Sequence, residues 1–179
     1  MAKAKPNTKT TKPKTDSKVE ITYQRVGDQF FSMEMPSNWE ARYLQVKGVD
    51  QHNMITFRSP KDVGKTSTSP NAASIQYFDR DELLKFEPQE YANTEAAINP
   101  GGKTKAKFSV FNALHGITAI TEDLPFKLDK GKVLCDVWTF YIQNPKNLKL
   151  FRVSYWCEKK KVDKLQPIFD HMLKSFQLK

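Results

Sequence analysis

Two runs dense in β-branched and aromatic residues, Lys132 to Gln143 and Leu148 to Cys157, flank Asn144-Pro145-Lys146-Asn147. Residues of this kind favour the pleated, half-buried surface of a strand, and Asn with Pro favours a tight reversal. The segment therefore reads as an antiparallel hairpin. Apolar side chains fall on both faces of both strands, so a sheet built on it must be covered on each side.

Turn chemistry suggests the pairing. With Pro145 and Lys146 in right-handed helical conformations and Asn147 in the left-handed one that Asn tolerates, the loop has three residues and ends in a bulge. Asn144 then faces Leu148, Tyr141 faces Phe151, Thr139 faces Val153, Val137 faces Tyr155 and Cys135 faces Cys157. The two cysteines fall at an open pair, where Cα atoms approach to about 4.5 Å. A disulfide needs about 4.4–6.8 Å, so a Cys135–Cys157 bridge is sterically available. The competing reading is a pair of reduced, packed thiols, and a slip to a two- or four-residue loop would put the thiols on opposite faces and forbid the bond. In the same register Trp138 and Trp156 share one face with Arg152. These three are the candidate partner-binding residues. Core packing competes for the tryptophans, and a salt bridge to a covering helix competes for Arg152.

At 179 residues the chain suits one domain plus an appendage. The appendage is 1–18, where six lysines stand among Thr, Pro, Ala and Asn with a single Asp16, a net +5 out of the chain's formal +9. It cannot bury enough apolar surface to offset the entropy of ordering, and a disordered tail is expected, with 19–179 as a single domain. The tail reads as a soluble tether or as an arm for nucleic acid or an anionic membrane surface. No long apolar run follows its lysines, so neither a signal peptide nor a membrane span is expected. A cytoplasmic protein follows if Met1 is the natural start; a secreted protein or lipoprotein follows if an export signal once preceded it. A disulfide would favour the second.

Along the domain, Phe30 to Met35 reads as a strand stopped by Pro36, with Trp39 at the chain reversal. Further strands are expected over Glu40 to Val46, Asn53 to Arg58, Ala72 to Arg80, Lys105 to Asn112 and Gly116 to Asp123, with Leu124-Pro125 opening a connector. Pro88 opens a helix that runs to Ile98 and stops at Asn99-Pro100-Gly101-Gly102. A closing helix carries Leu165, Ile168, Phe169, Met172, Leu173 and Phe176 on one face, with Pro167 expected near its first turn.

Enzyme chemistry finds little support. His52, His115 and His171 are isolated, and no His-x-x-x-His or Cys-x-x-Cys spacing suggests zinc. Gly64-Lys65-Thr66 lacks the earlier glycine of a phosphate loop, since Ser59 stands there. Asp79-Arg80-Asp81-Glu82 and Glu122-Asp123 are acid pairs or a weak calcium site at most, and solvated strand ends otherwise. No catalytic residue, metal ligand, cofactor or small-molecule substrate is assigned.

Phe31-Ser-Met-Glu-Met-Pro-Ser-Asn-Trp39, the strand Met54 to Arg58, the strand and helix within Ala72 to Ile98, the meander from Lys105 to Glu158 and the closing Leu173-Lys-Ser-Phe176 together resemble the PsbP-like superfamily. Its pattern is an early strand ending in Pro-x-x-Trp, a curved antiparallel sheet between helices, and a terminal helix ending in Ser-Phe. The resemblance implies an α+β fold of α/β/α type and a non-catalytic binding or assembly module acting on another protein. Photosystem, Ran-binding, envelope (DcrB-like) and chaperone members share the fold, so it does not choose the partner. The photosystem subunit's ion-linked role is not carried over, because no matching ligand cluster is present. A nucleic-acid or anionic-membrane binder using the tail is the second reading, and an uncharacterised hydrolase the third.

Overall fold

The computed structural model describes residues 21–45, 53–59, 69–128 and 131–179. The tail 1–18, His52 and Gly64-Lys65-Thr66 lie outside them. The described strands are β1 (Tyr23–Gly27), β2 (Phe31–Pro36), β3 (Glu40–Gln45), β4 (Asn53–Arg58), β5 (Ala72–Phe78), β6 (Lys103–Phe111), β7 (Leu114–Leu128), β8 (Gly131–Gln143), β9 (Leu150–Glu158) and β10 (Gln177–Leu178). Helix α1 (Pro88–Ile98) joins β5 to β6, and α2 (Val162–Lys174) follows β9. Seven strands form one antiparallel sheet in the order β3-β4-β5-β9-β8-β7-β6, and β2 is flanked by β1 and β10 in a separate three-stranded sheet.

The alternation of β9 sorts the layers. Phe151, Val153, Tyr155 and Cys157 point to one face and join the main core with Ile55, Phe57, Ile75, Met33 and α2. There Tyr155 stacks on Phe169 at 4.5 Å, Phe31 on Phe176 at 5.7 Å, and Trp39 meets Phe169 edge-on at 6.0 Å. The residues that carry the Pro-x-x-Trp and Ser-Phe resemblance are thus core anchors. Leu150, Arg152, Ser154 and Trp156 take the opposite face, on which α1 lies. One face is covered by a helix and a small sheet, the other by a helix.

The β8–β9 register differs from the expected one by a single residue. Asn144 N–H donates to the Lys149 carbonyl at 2.9 Å, so Pro145 to Leu148 form a four-residue loop. The left-handed position falls on Leu148 (φ 59°) instead of Asn147. Two side-chain turns make this conformation good: Asn144 Oδ1 accepts from Lys146 N–H at 2.9 Å, and Asn147 Oδ1 from Lys149 N–H at 3.1 Å. Tyr141 therefore faces Arg152, Trp138 faces Tyr155, and Val137 faces Trp156. Cys157 faces Asp136 and Cys135 faces Glu158, which places the two sulfurs on opposite faces. Both are free, buried thiols. Of the two readings the sequence left open, the structure shows the reduced, separately packed thiols and not the Cys135–Cys157 bridge. Burial, more than any neighbouring charge, pushes both thiols up to about 12.

Three further differences have local causes. β7 does not stop at Asp123 but runs through Pro125 to Leu128, after a register shift between Thr121 and Leu124 where Asp123 takes φ 58°. Beyond Glu122 its β6 side has no ladder partner, so a proline costs little there. Pro167 sits inside α2, because the helix begins at Val162 after a tight turn at Lys159–Lys161. The missing N–H costs about 3 kcal/mol by the usual interior penalty, offset by the burial of Leu165, Ile168, Phe169 and Met172. β10 extends past the expected helix end and pairs with β2 through Gln177/Ser32 and Leu178/Phe31.

Two measurements check this arrangement. Neither thiol is expected to react with iodoacetamide in the folded protein at pH 8, and both should alkylate in denaturant without prior reduction, as read by intact mass. Phe176→Ala should lower unfolding free energy by about 3–5 kcal/mol in urea titrations, the usual cost of emptying a buried aromatic site.

Candidate functional site

The face under α1 is built from hydrogen bonds more than from apolar area. Along α1 the buried residues are Ala92 and Glu95. Tyr91, one helical turn before Glu95, projects from the same stripe. Glu95 is 1% exposed and accepts from Arg152 Nε (2.7 Å, Oε1) and Nη2 (2.9 Å, Oε2). Tyr141 Oη–H (2.5 Å), Asn99 Nδ2–H (3.0 Å) and Thr139 Oγ1–H (3.2 Å) complete its shell. Arg152 uses its remaining terminal nitrogen, Nη1, on Gln76 Oε1 at 3.2 Å. The strands present these groups in register: Gln76 faces Arg152 across β5/β9, and Arg152 faces Tyr141 across β9/β8. β7 approaches closely at Gly116, where any Cβ would fall 2.1 Å from the Tyr141 carbonyl oxygen.

Burial works to raise the Glu95 carboxyl, but the Arg152 bonds and charge, with the Tyr141 and Thr139 hydroxyls, outweigh it and hold the group below the usual carboxylate range. Burial likewise works against the Arg152 guanidinium, and Glu95 outweighs it and raises it. Burial first, and the Glu95 charge second, push the Tyr141 phenol far up. The pair is locked ionised and the phenol locked protonated. Such a cluster has no proton to exchange near neutral pH and acts as a rivet.

Beside the rivet opens a cleft of about 440 Å³. Arg152, Tyr141 and Gln76 lie along its floor; Tyr91, Leu84 and Phe78 contribute apolar wall. Tyr91 packs on Tyr141 at 4.5 Å and on Phe86 at 5.5 Å. The Gln143 side chain holds the approaching loop, accepting from Leu84 N–H at 2.7 Å and donating to the Glu82 carbonyl at 2.8 Å. Leu83 and Ile98 stand 60% and 52% exposed.

Of the residues singled out in the sequence, Arg152 is at this site, in the salt bridge to the covering helix. Trp138 and Trp156 are separated by the register shift. Trp138 stacks on Tyr155 at 5.0 Å on the α2 face, and Trp156 donates Nε1–H to the Ser69 carbonyl at 2.8 Å on the other. His171 lies on Tyr23 (3.7 Å) and bonds Glu34 (2.8 Å), while His115 is exposed on β7. Asp79 pairs with Lys149, and Asp123 with Lys159 and Lys103. Among the described residues no three His, Cys, Asp or Glu side chains gather as metal ligands. Glu95, Tyr91, Tyr141 and Gln76 escaped sequence reasoning; the one signal was a lone arginine on an apolar strand.

Glu95→Gln and Arg152→Met should each cost about 3–5 kcal/mol, since each strands a buried charge. The double variant should recover most of that loss in urea titrations. Because the folded Glu95 pKa lies below its unfolded value, its contribution is complete above the ordinary carboxylate range and is lost as pH falls through the folded value. The stability gap between wild type and Glu95→Gln should therefore shrink with acidification.

No protein-family model matches the sequence, and no curated protein matches it at a significant level. Seventeen solved chains match in structure. One is the solution structure of cyanobacterial PsbP (CyanoP) from Synechocystis sp. PCC 6803, with TM-score 0.61 and 14% identity over 93% of this chain and 98% of that one. Another is LpqN of Mycobacterium tuberculosis, described as involved in cell envelope biogenesis, with TM-score 0.50 and 12% identity over 88% and 91%. At such identities the backbone is what is shared: the chain has the same fold as the CyanoP solution structure.

Proposed function

We propose that this protein is a non-catalytic binding or assembly module that grips another protein in the cleft beside α1. The observation that carries this reading is the internal satisfaction of the charged floor. With Arg152 spent on Glu95 and Gln76, the cleft offers aromatic and aliphatic walls flanked by Arg80 and Glu90; the exposed Ile98 is part of its lining, and the exposed Leu83 directly precedes the lining Leu84. Such a surface binds by burial and shape. The cysteines are protonated at neutral pH and Glu95 is tied up, so none of these three groups supplies a nucleophile or an exchangeable proton. The likeness to a protein involved in cell envelope biogenesis is compatible with an assembly role and leaves the partner open, because a fold hosts many functions.

The test uses the full chain in its own cells with a photo-crosslinking residue at Leu83, and at Tyr43 on the far edge strand as control. A discrete adduct from Leu83, weakened about tenfold or more by Ile98→Asp, is the expected result, an isoleucine contact being worth roughly 1.5–3 kcal/mol when fully buried. Equal adducts from both positions, indifference to Ile98→Asp, or turnover of ester or phosphate substrates by the purified protein would overturn the reading. Loss of the adduct on deleting 1–18, with binding to polyanions that falls steeply with salt, would point instead to nucleic acid or an anionic membrane surface.

A further inference from the structure

A second cavity of about 450 Å³ lies at one end of the sheet. Three connections enclose it: the β6–β7 turn at Asn112 and Ala113 (φ 45° and 65°), the β8–β9 loop at Pro145 and Lys146, and the chain from Lys174 to Lys179. Phe111, Leu114, Phe176 and Leu178 supply apolar lining. Three lysines, Lys146, Lys174 and Lys179, also line it, and no lining residue is an aspartate or glutamate. Lys179 Nζ is engaged, donating to the Asp28 carbonyl at 2.5 Å. The exposed Lys146 and Lys174, like several other surface lysines, have no ion pair or side-chain hydrogen bond among the described residues.

We propose that this cavity binds a monomeric amphiphilic carboxylate, its apolar body on the Phe111/Phe176 floor and its anionic head between Lys146 and Lys174. Charge complementarity selects the head: two unneutralised cations stand over an apolar hollow of the size that small molecules occupy. The main-chain oxygens of the wall accept from asparagine side chains. Asn112 Nδ2 donates to the Phe176 carbonyl at 2.7 Å and reaches the Lys174 carbonyl at 3.5 Å, and Asn144 Nδ2 donates to a main-chain carboxylate oxygen of Lys179 at 3.2 Å. The same Asn144 fixes the Lys146 backbone through its Oδ1. This site shares no lining residue with the cleft beside α1, so the two readings stand or fall separately.

The test is a titration of the isotopically labelled full chain with sodium octanoate, followed by amide ¹H–¹⁵N spectra. Saturable shifts are expected at Phe111, Leu114, Lys146, Phe176 and Leu178 and not at Tyr91 or Glu95. Octan-1-ol should bind several-fold more weakly. The Lys146→Gln/Lys174→Gln variant, altered only at exposed side chains, should keep its melting midpoint and lose affinity about five- to tenfold, each exposed ion pair being worth a factor of roughly two to five. Absence of saturable shifts, equal affinity for octan-1-ol, or unchanged affinity in the double variant would overturn the proposal. Shifts produced only by anionic lipid vesicles, or by an acidic peptide and not by octanoate, would assign the lysines to a membrane surface or a protein partner and overturn it as well.

Discussion

The architecture turns on one buried ion pair. Helix α1 buries only Ala92 and Glu95 along its length, so it has no apolar stripe wide enough to hold it on the sheet. What holds it is the doubly hydrogen-bonded contact of Glu95 with Arg152 on β9, the central strand of the sheet. A guanidinium at that position cannot go unpaired without a large desolvation cost, so helix and sheet require each other. Tyr91, and with it one wall of the cleft, is placed by that dependence.

The two faces of the sheet consequently obey different physics. On the α2 side Phe31, Phe151, Phe169 and Phe176 interlock, and cohesion there scales with area removed from water. On the α1 side Thr139, Tyr141, Ser154, Gln76 and Gln143 form bonds that are strong when complete and costly when broken. Close packing tolerates small shifts in side-chain volume, whereas a bonded network specifies one geometry. A recognition surface resting on the second kind of face inherits a floor of fixed shape.

Much of this was legible in the chain. The bounds of α1 and β4 were plain because Pro88, Gly48 and the Asn99-Pro100-Gly101-Gly102 stop punctuate them, and the periodicity of Leu165, Ile168, Phe169 and Met172 announced α2. The hairpin was visible as well, but its register was not. Local rules favour Asn over Leu in the left-handed position, yet the Asn144 and Asn147 side chains stabilise a longer loop that puts Leu148 there. That one residue separated Trp138 from Trp156 and Cys135 from Cys157 and brought Tyr141 opposite Arg152. Glu95 was hidden because a mostly polar helix gives no sign of which carboxylate turns inward. β10 was hidden because a two-residue strand is defined by its distant neighbour, not by its own composition.

That distant neighbour has a kinetic consequence. β2 waits for β10, and the ring of Phe31 waits for Phe176, across nearly the whole length of the chain. During synthesis the meander from β6 to β9 has its own partners in hand as soon as it emerges, but the layer over its apolar face stays open until the last turn of α2 is released. Contacts of such long range repay their loop-closure entropy late, which slows folding. Until closure, a nascent chain exposes a sheet face rich in aromatic rings, the kind of surface that chaperones shield.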